Sequence, residues 1–166
     1  VTVDDSSAMV RTYSDIALDS SGNPHISYVD ATNGLLRYAQ FDGADWSLST
    51  VDPSGSVLGH TSIVVDGDGN PRISYHDGDL RLAVWDGSYW SLTTQDTGAG
   101  QGSQVSLDGD GFTRIAYFDE DDDDLLFSLS GHDSPVVMGS STFHRSGTSM
   151  DSGATSVTSL SIGQTH

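Results

Sequence analysis

One segment of this chain is written three times, and that recurrence limits the fold more than any local propensity does. Residues Leu18-Asp19-Ser20-Ser21-Gly22-Asn23-Pro24-His25-Ile26-Ser27-Tyr28 return as Val65-Asp66-Gly67-Asp68-Gly69-Asn70-Pro71-Arg72-Ile73-Ser74-Tyr75. They return again as Leu107-Asp108-Gly109-Asp110-Gly111-Phe112-Thr113-Arg114-Ile115-Ala116-Tyr117, so the matched aspartates lie 47 and then 42 residues apart. A second half repeats as well: Leu36-Arg37-Tyr38-Ala39, Phe41-Asp42-Gly43 and Trp46-Ser47-Leu48 match Leu80-Arg81-Leu82-Ala83, Trp85-Asp86-Gly87 and Trp90-Ser91-Leu92. The third copy keeps only Leu125-Leu126-Phe127-Ser128 of this half.

Within a repeat, apolar residues alternate over short runs and break at Gly, Asn, Asp and Pro, the pattern of strand and turn. The first repeat predicts strands at 15–19, 24–29, 35–41 and 46–51, joined at Ser21-Gly22-Asn23, Asn33-Gly34 and Asp42-Gly43. Gly and Asn accept the positive φ of tight hairpins, so each strand returns antiparallel to the last. No stretch reads as helix. Four antiparallel strands in about 40 to 45 residues make one β-propeller blade. The expected fold is therefore all-β: a β-propeller of four-stranded antiparallel blades, with three clear repeats and a partial one.

Val3-Asp4-Asp5-Ser6-Ser7 aligns with Val51-Asp52-Pro53-Ser54-Gly55, so residues 1–13 read as the last strand of a preceding or closing blade and its connection. Blades are expected at 14–60, 61–102 and, degenerate, 103–138. Residues 139–166 form a Ser/Thr/Gly-rich tail, either a partial blade or a linker. Strand candidates near the C-terminus are Val136-Val137-Met138, Thr142-Phe143-His144 and Val157–Ile162. The ring closes either by the two termini zipping together, or through missing sequence or a second copy of the chain. An unfinished arc leaves a strand edge that something must cover.

With 166 residues the chain is one domain's worth. Its 24 acidic residues stand against 6 basic ones, for a net charge of -18. Such a surface repels phosphates, so nucleic acid is not an expected partner. No apolar run approaches the roughly 20 residues of a membrane span, and membrane insertion is not expected. The absence of cysteine excludes disulfides and thiolate metal sites.

Three patterns could carry chemistry. Asp66-Gly67-Asp68-Gly69-Asn70 and Asp108-Gly109-Asp110-Gly111 alternate oxygen donors as calcium loops do, making Asp66, Asp68, Asp108 and Asp110 candidate ligands. The loop pattern then breaks, with Pro71 and Asp77 where a glycine and a bidentate acid belong. The competing reading is a turn whose carboxylates accept backbone N–H groups. Glu120-Asp121-Asp122-Asp123-Asp124 reads as a solvated, self-repelling loop. The recurring aromatics Tyr28, Tyr75, Tyr117, Trp46, Trp85 and Trp90 either pack sheet against sheet or offer stacking faces to a ligand.

Enzyme motifs fail on inspection. Gly147-Thr148-Ser149-Met150 and Asp96-Thr97-Gly98 match subtilisin-like signatures, but the following residues and the α/β scaffold are wrong. The histidines show no metal-ligand spacing. A two-carboxylate glycosidase cannot be singled out among so many aspartates.

The succession Leu-Asp-x-x-Gly-Asn-Pro-x-Ile-Ser-Tyr, Leu-Arg-Tyr-Ala and Asp-Gly-x-x-Trp-Ser resembles a repeat common in exported bacterial and archaeal β-propeller proteins, over roughly residues 1–130. The resemblance implies export, hence an extracellular or cell-surface location, and implies the propeller more firmly than any activity. The turns Asp42-Gly43-Ala44-Asp45-Trp46 and Asp86-Gly87-Ser88-Tyr89-Trp90 loosely resemble the Asp-box turns of sialidase-type propellers, one residue off in the Asp-to-Gly spacing. Propeller lectins place recurring Trp and Tyr between blades as platforms for sugar rings. The expectation is a non-catalytic module for recognition or assembly with a glycan or protein partner, needing no cofactor unless calcium binds. Two alternatives stay open: a subunit of an extracellular filament or sheath that self-associates through its incomplete blade, and the propeller part of a glycan hydrolase.

Overall fold

The computed structural model describes residues 1–6 and 10–130, with residues 10–12 by their backbone alone. The C-terminal strand candidates and the Gly147–Met150 match lie outside the described residues.

Among the described residues, every element is a strand. The first repeat supplies β1 (Val10–Leu18), β2 (Pro24–Asp30), β3 (Leu35–Phe41) and β4 (Trp46–Asp52). The second supplies β5 (Gly59–Val65), β6 (Pro71–His76), β7 (Leu80–Trp85) and β8 (Trp90–Asp96). The third supplies β9 (Gln101–Leu107), β10 (Thr113–Asp119) and β11 (Asp124–Ser130). Each repeat folds into its own antiparallel meander: β1-β2-β3-β4, β5-β6-β7-β8 and, three-stranded among the described residues, β9-β10-β11. The first strand begins earlier than its apolar alternation suggests, because Val10 still pairs with Asp30 across an irregularity before Ser14.

Register repeats along with sequence. Ile16 lies opposite Ile26, Ile63 opposite Ile73, and Val105 opposite Ile115. Leu36 faces Asp52 just before a bulge, and Leu80 faces Asp96 just before the equivalent bulge. The first turn of each meander closes in the same way, with the N–H of Gly22, Gly69 and Gly111 donating to the carbonyl of Asp19, Asp66 and Asp108 at 3.0, 3.1 and 3.0 Å. That glycine sits at φ 83°, 86° and 82°, the left-handed region a type I turn followed by a bulge requires.

The sheets stack through their first strands, β1 against β5 and β5 against β9, with β2 on β5 and β6 on β9. Each sheet thus has a front, turned toward the preceding sheet, and a back, turned toward the next. Leu36, Tyr38 and Val29 from the first sheet pack with Ile63, Ile73, Tyr75 and Ala83 of the second. Leu80 and Leu82 pack with Ile115 and Tyr117 of the third. Full burial of each large apolar side chain stabilises by about 1.5–3 kcal/mol. Hydroxyl pairs cross these layers at matched positions: Thr61 donates to Ser27 at 2.9 Å, and Ser74 and Ser103 meet at 3.0 Å.

Candidate functional site

The three recurring tyrosines share one arrangement. Tyr28, Tyr75 and Tyr117 are buried, and each phenol donates to an aspartate 2.7 Å away: Asp4, Asp52 and Asp96 respectively. Asp52 and Asp96 end the fourth strand of the preceding sheet, so each bond ties one sheet to the next. Below Tyr28 and Tyr75, the directly paired residues on the third strand are Arg37 and Arg81. At the third tyrosine the paired residue is Leu126, and the arginine is lost. Burial raises all three phenols, Tyr28 to about 12, with the nearby carboxylate adding to the shift. A fully buried ring with a satisfied hydroxyl has no face for a ligand, so these tyrosines leave the stacking set and serve as ties between sheets.

The tryptophans are placed differently. Phe41 pairs with Trp46 and Trp85 with Trp90 at the tips of the β3–β4 and β7–β8 hairpins, each pair with ring centroids 5.4 Å apart. All four rings are half-buried. The tip turns are tight because Asp42 accepts the N–H groups of Ala44 and Asp45, and Asp86 those of Ser88 and Tyr89. Those bonds hold both carboxylates below the usual range, so both are ionised beside the rings. Tyr89 projects from the second tip, 63% exposed.

Trp90 also spans the seam between the first two sheets, its ring edge-on to Tyr38 at 5.4 Å. The Tyr38 hydroxyl meets Nδ1 of the fully buried His25 at 2.5 Å. Nε2 of His25 points to Asp19 at 3.8 Å and makes no hydrogen bond. Burial holds the His25 imidazole below its ordinary pKa despite the nearby Asp19. Sequence reasoning misses this group, because Tyr38 has no aromatic hydroxyl counterpart at Leu82 and His25 is replaced by Arg72 and Arg114. The pairing of basic residue with turn aspartate does recur: Arg72 lies 3.8 Å from Asp66, and Arg114 bonds Asp108. Arg72 also reaches the third sheet, donating to the Gly111 carbonyl and to Thr113.

The candidate calcium ligands are engaged in their own turns. Asp66 accepts the N–H of Asp68 and Asn70, and Asp108 accepts that of Asp110 and Phe112. The side chains of Asp68 and Asp110 are exposed. Among the described residues, no three His, Asp or Glu side chains converge as a metal site does. This turn chemistry also explains why aspartate so outnumbers glutamate: the shorter side chain reaches back to its own backbone two residues on. In the acidic loop, residues 120–123 are exposed, while Asp124 is buried opposite Asp119.

No protein-family model matches the chain, and no curated protein matches it. Solved structures do, among them two lectins. SapL1 lectin in complex with alpha methyl fucoside is 17% identical with a TM-score of 0.55, over 80% of this chain and 46% of that one. The chain thus spans about half the length of that lectin. A fucose lectin from Kordia zhangzhouensis in complex with methyl-fucoside is 18% identical with a TM-score of 0.46, over 70% of this chain and 90% of that one. At 17% identity the likeness to SapL1 lectin speaks to the all-β fold alone.

Proposed function

We propose that the chain is a non-catalytic β-propeller module that binds carbohydrate, each meander being one blade. The observation that carries this reading is the second hairpin tip, where half-buried Trp85 and Trp90, exposed Tyr89 and ionised Asp86 stand together. A pyranose needs an apolar ring face to stack on and a fixed acceptor at its rim, and this tip offers both. The first tip repeats the arrangement with Phe41, Trp46 and Asp42. The propeller reading is supported by three meanders in matching register joined through their first strands. The fucose-bound neighbours make fucosides the first ligands to try.

A non-catalytic role is supported by the carboxylates. Among the described residues, those whose ionisation the surroundings alter, Asp4, Asp19, Asp42, Asp52, Asp86 and Asp108, are all held below the usual range. A glycosidase needs one acid held above it. The motif resemblance supports an extracellular setting.

Glycan-array screening followed by calorimetric titration with methyl fucoside tests the proposal. Trp85→Ala or Tyr89→Ala should weaken binding about ten-fold. An array with no signal for the wild-type protein, or affinity unchanged in both variants, would overturn it.

A further inference from the structure

The seam between the first two sheets holds a buried group that the carbohydrate reading leaves unused. His25 is 0% exposed, and its Nε2 is a buried nitrogen with no hydrogen-bond partner. The carboxylate of Asp19 stands 3.8 Å away, about 1 Å beyond a charge-assisted hydrogen bond. Asp19 is fixed there by the N–H groups of Ser21 and Asn23 and by the Asn23 side-chain amide, which together hold it ionised. A partner for the orphan nitrogen is thus in place but not engaged.

The other side of the imidazole leads to the stacking face. Nδ1 meets the Tyr38 hydroxyl at 2.5 Å, and the buried Tyr38 ring stands edge-on to Trp90 with centroids 5.4 Å apart. Trp90 in turn packs on Trp85 at 5.4 Å. One chain of contacts therefore runs from Asp19 in the β1–β2 turn, through β2 and β3, to the tip of the β7–β8 hairpin. The seam between the second and third sheets lacks it, since Arg72 and Leu82 stand where His25 and Tyr38 would.

We propose that His25 and Tyr38 are positioning residues for the Trp85–Trp90 face, and that a proton taken up at His25 loosens that face and weakens carbohydrate binding there. The inference rests on the lectin reading above. A neutral imidazole with its hydrogen on Nε2 accepts the Tyr38 hydroxyl at Nδ1 and holds the ring against Trp90. Protonation puts a hydrogen on Nδ1 as well, so the Tyr38 O–H loses its acceptor inside a buried seam. The charged ring gains a stronger partner in Asp19 and closes the 3.8 Å gap, which draws it away from Tyr38. Burial disfavours the charged ring, so the response falls below the ordinary histidine range. Other titratable side chains on the strands packed against β2 are committed elsewhere. Asp15 on β1 accepts from Ser62 and Ile63, Arg37 on β3 donates to Thr50, and His60 on β5 stacks on Tyr13 of β1. Asp19 is the charge that bears on the His25 ring.

Two measurements at about pH 7.5 and about pH 5 test this: calorimetric titration with methyl fucoside or the strongest array ligand, and tryptophan fluorescence of the unliganded protein. Wild type should bind about ten-fold more weakly at the lower pH, and its fluorescence should show an inflection below about pH 6.5. His25→Gln cannot titrate there, so its affinity should be the same at both pH values and the inflection should vanish. Tyr38→Phe keeps the ring but cuts the link to His25, and should lose the pH response as well. Circular dichroism at both pH values separates a local movement from unfolding. A wild-type affinity that does not change with pH, a response that survives in His25→Gln, or loss of the whole fold at the lower pH would each overturn the proposal. Absence of binding at either pH would instead sink the lectin reading. The fluorescence would then decide alone: an inflection present in wild type and lost in both variants upholds the proton-driven movement of Trp90, and no inflection ends it.

Discussion

The phenol of Tyr75 donates to the carboxylate of Asp52 across the seam between the first two sheets, at 2.7 Å and with both residues buried. Arg81, paired with Tyr75 on the neighbouring strand, supplies the balancing charge. Tyr75→Phe keeps the ring but leaves a buried carboxylate short of a donor, so it should cost about 1–3 kcal/mol in urea unfolding. Tyr28→Phe should cost less, because its partner Asp4 is nearer to water and can rehydrate. Equal losses at the two positions would contradict a role set by burial.

Asp52 gives the acid limb of stability its sign. Burial alone raises its pKa, but the Tyr75 phenol, the Ser54 N–H and nearby Arg81 outweigh burial and leave it below 3.8. A carboxylate depressed in the folded state stabilises above the unfolded value and loses that contribution as pH falls through the folded one. Unfolding free energy should therefore drop as pH is lowered below about 4. Asp52→Asn should make that drop shallower, as read by denaturant melts at a series of pH values. An unchanged acid limb would remove Asp52 from the account.

The all-β antiparallel meanders were legible because each repeat carries its own turn chemistry: Asp19, Asp66 and Asp108, with glycine three residues on, mark the same hairpin without any help from the rest of the chain. The tyrosines were legible as recurring and illegible as to purpose. A ring that packs and a ring that stacks on a ligand have the same spacing, and only the distance from Tyr75 to Asp52 separates them. The partner acids could have been found, since Asp4, Asp52 and Asp96 precede their tyrosines by 24, 23 and 21 residues. The contact of Trp90 with Tyr38 lies between repeats, where no pattern within one repeat can point.

His25 sets a second pH response. Desolvation favours its neutral form in the fold, so its contribution is present above the unfolded value near 6.5 and is lost as pH falls through the lower folded value. The neutral ring accepts the Tyr38 hydroxyl at Nδ1. His25→Gln removes the titration and should flatten the stability profile just below pH 6.5, while Tyr38→Phe should cost about 1 kcal/mol at pH 7. An identical pH profile for His25→Gln and wild type would exclude His25 as its source.

Two glycines with the same backbone sign should respond differently to alanine. At Gly22, φ is +83° and an added Cβ meets nothing within 4 Å, so Gly22→Ala should cost about 1 kcal/mol, from backbone strain alone. At Gly100, φ is +116° and an added Cβ would lie 2.7 Å from the Cα of Leu80, inside the layer between the second and third sheets. Gly100→Ala should cost about 3 kcal/mol or more, since backbone must move. Comparable melting temperatures for the two variants would argue against close packing at that seam.

The turn carboxylate of Asp66 distinguishes a backbone cap from a calcium ligand. Both accepted N–H groups, from Asp68 and Asn70, go to a single oxygen that an asparagine side chain can supply as well. Asp66→Asn should therefore leave the melting temperature near wild type, while Asp66→Ala should lower it by about 2–4 °C. A calcium site would behave otherwise: asparagine would lose most of the ion's affinity, and chelator would lower the wild-type melting temperature. The expected result is the same melting curve with added calcium and with chelator, because the carboxylate is already satisfied by its own chain. A chelator-sensitive wild type with a destabilised Asp66→Asn would assign the turn to the metal.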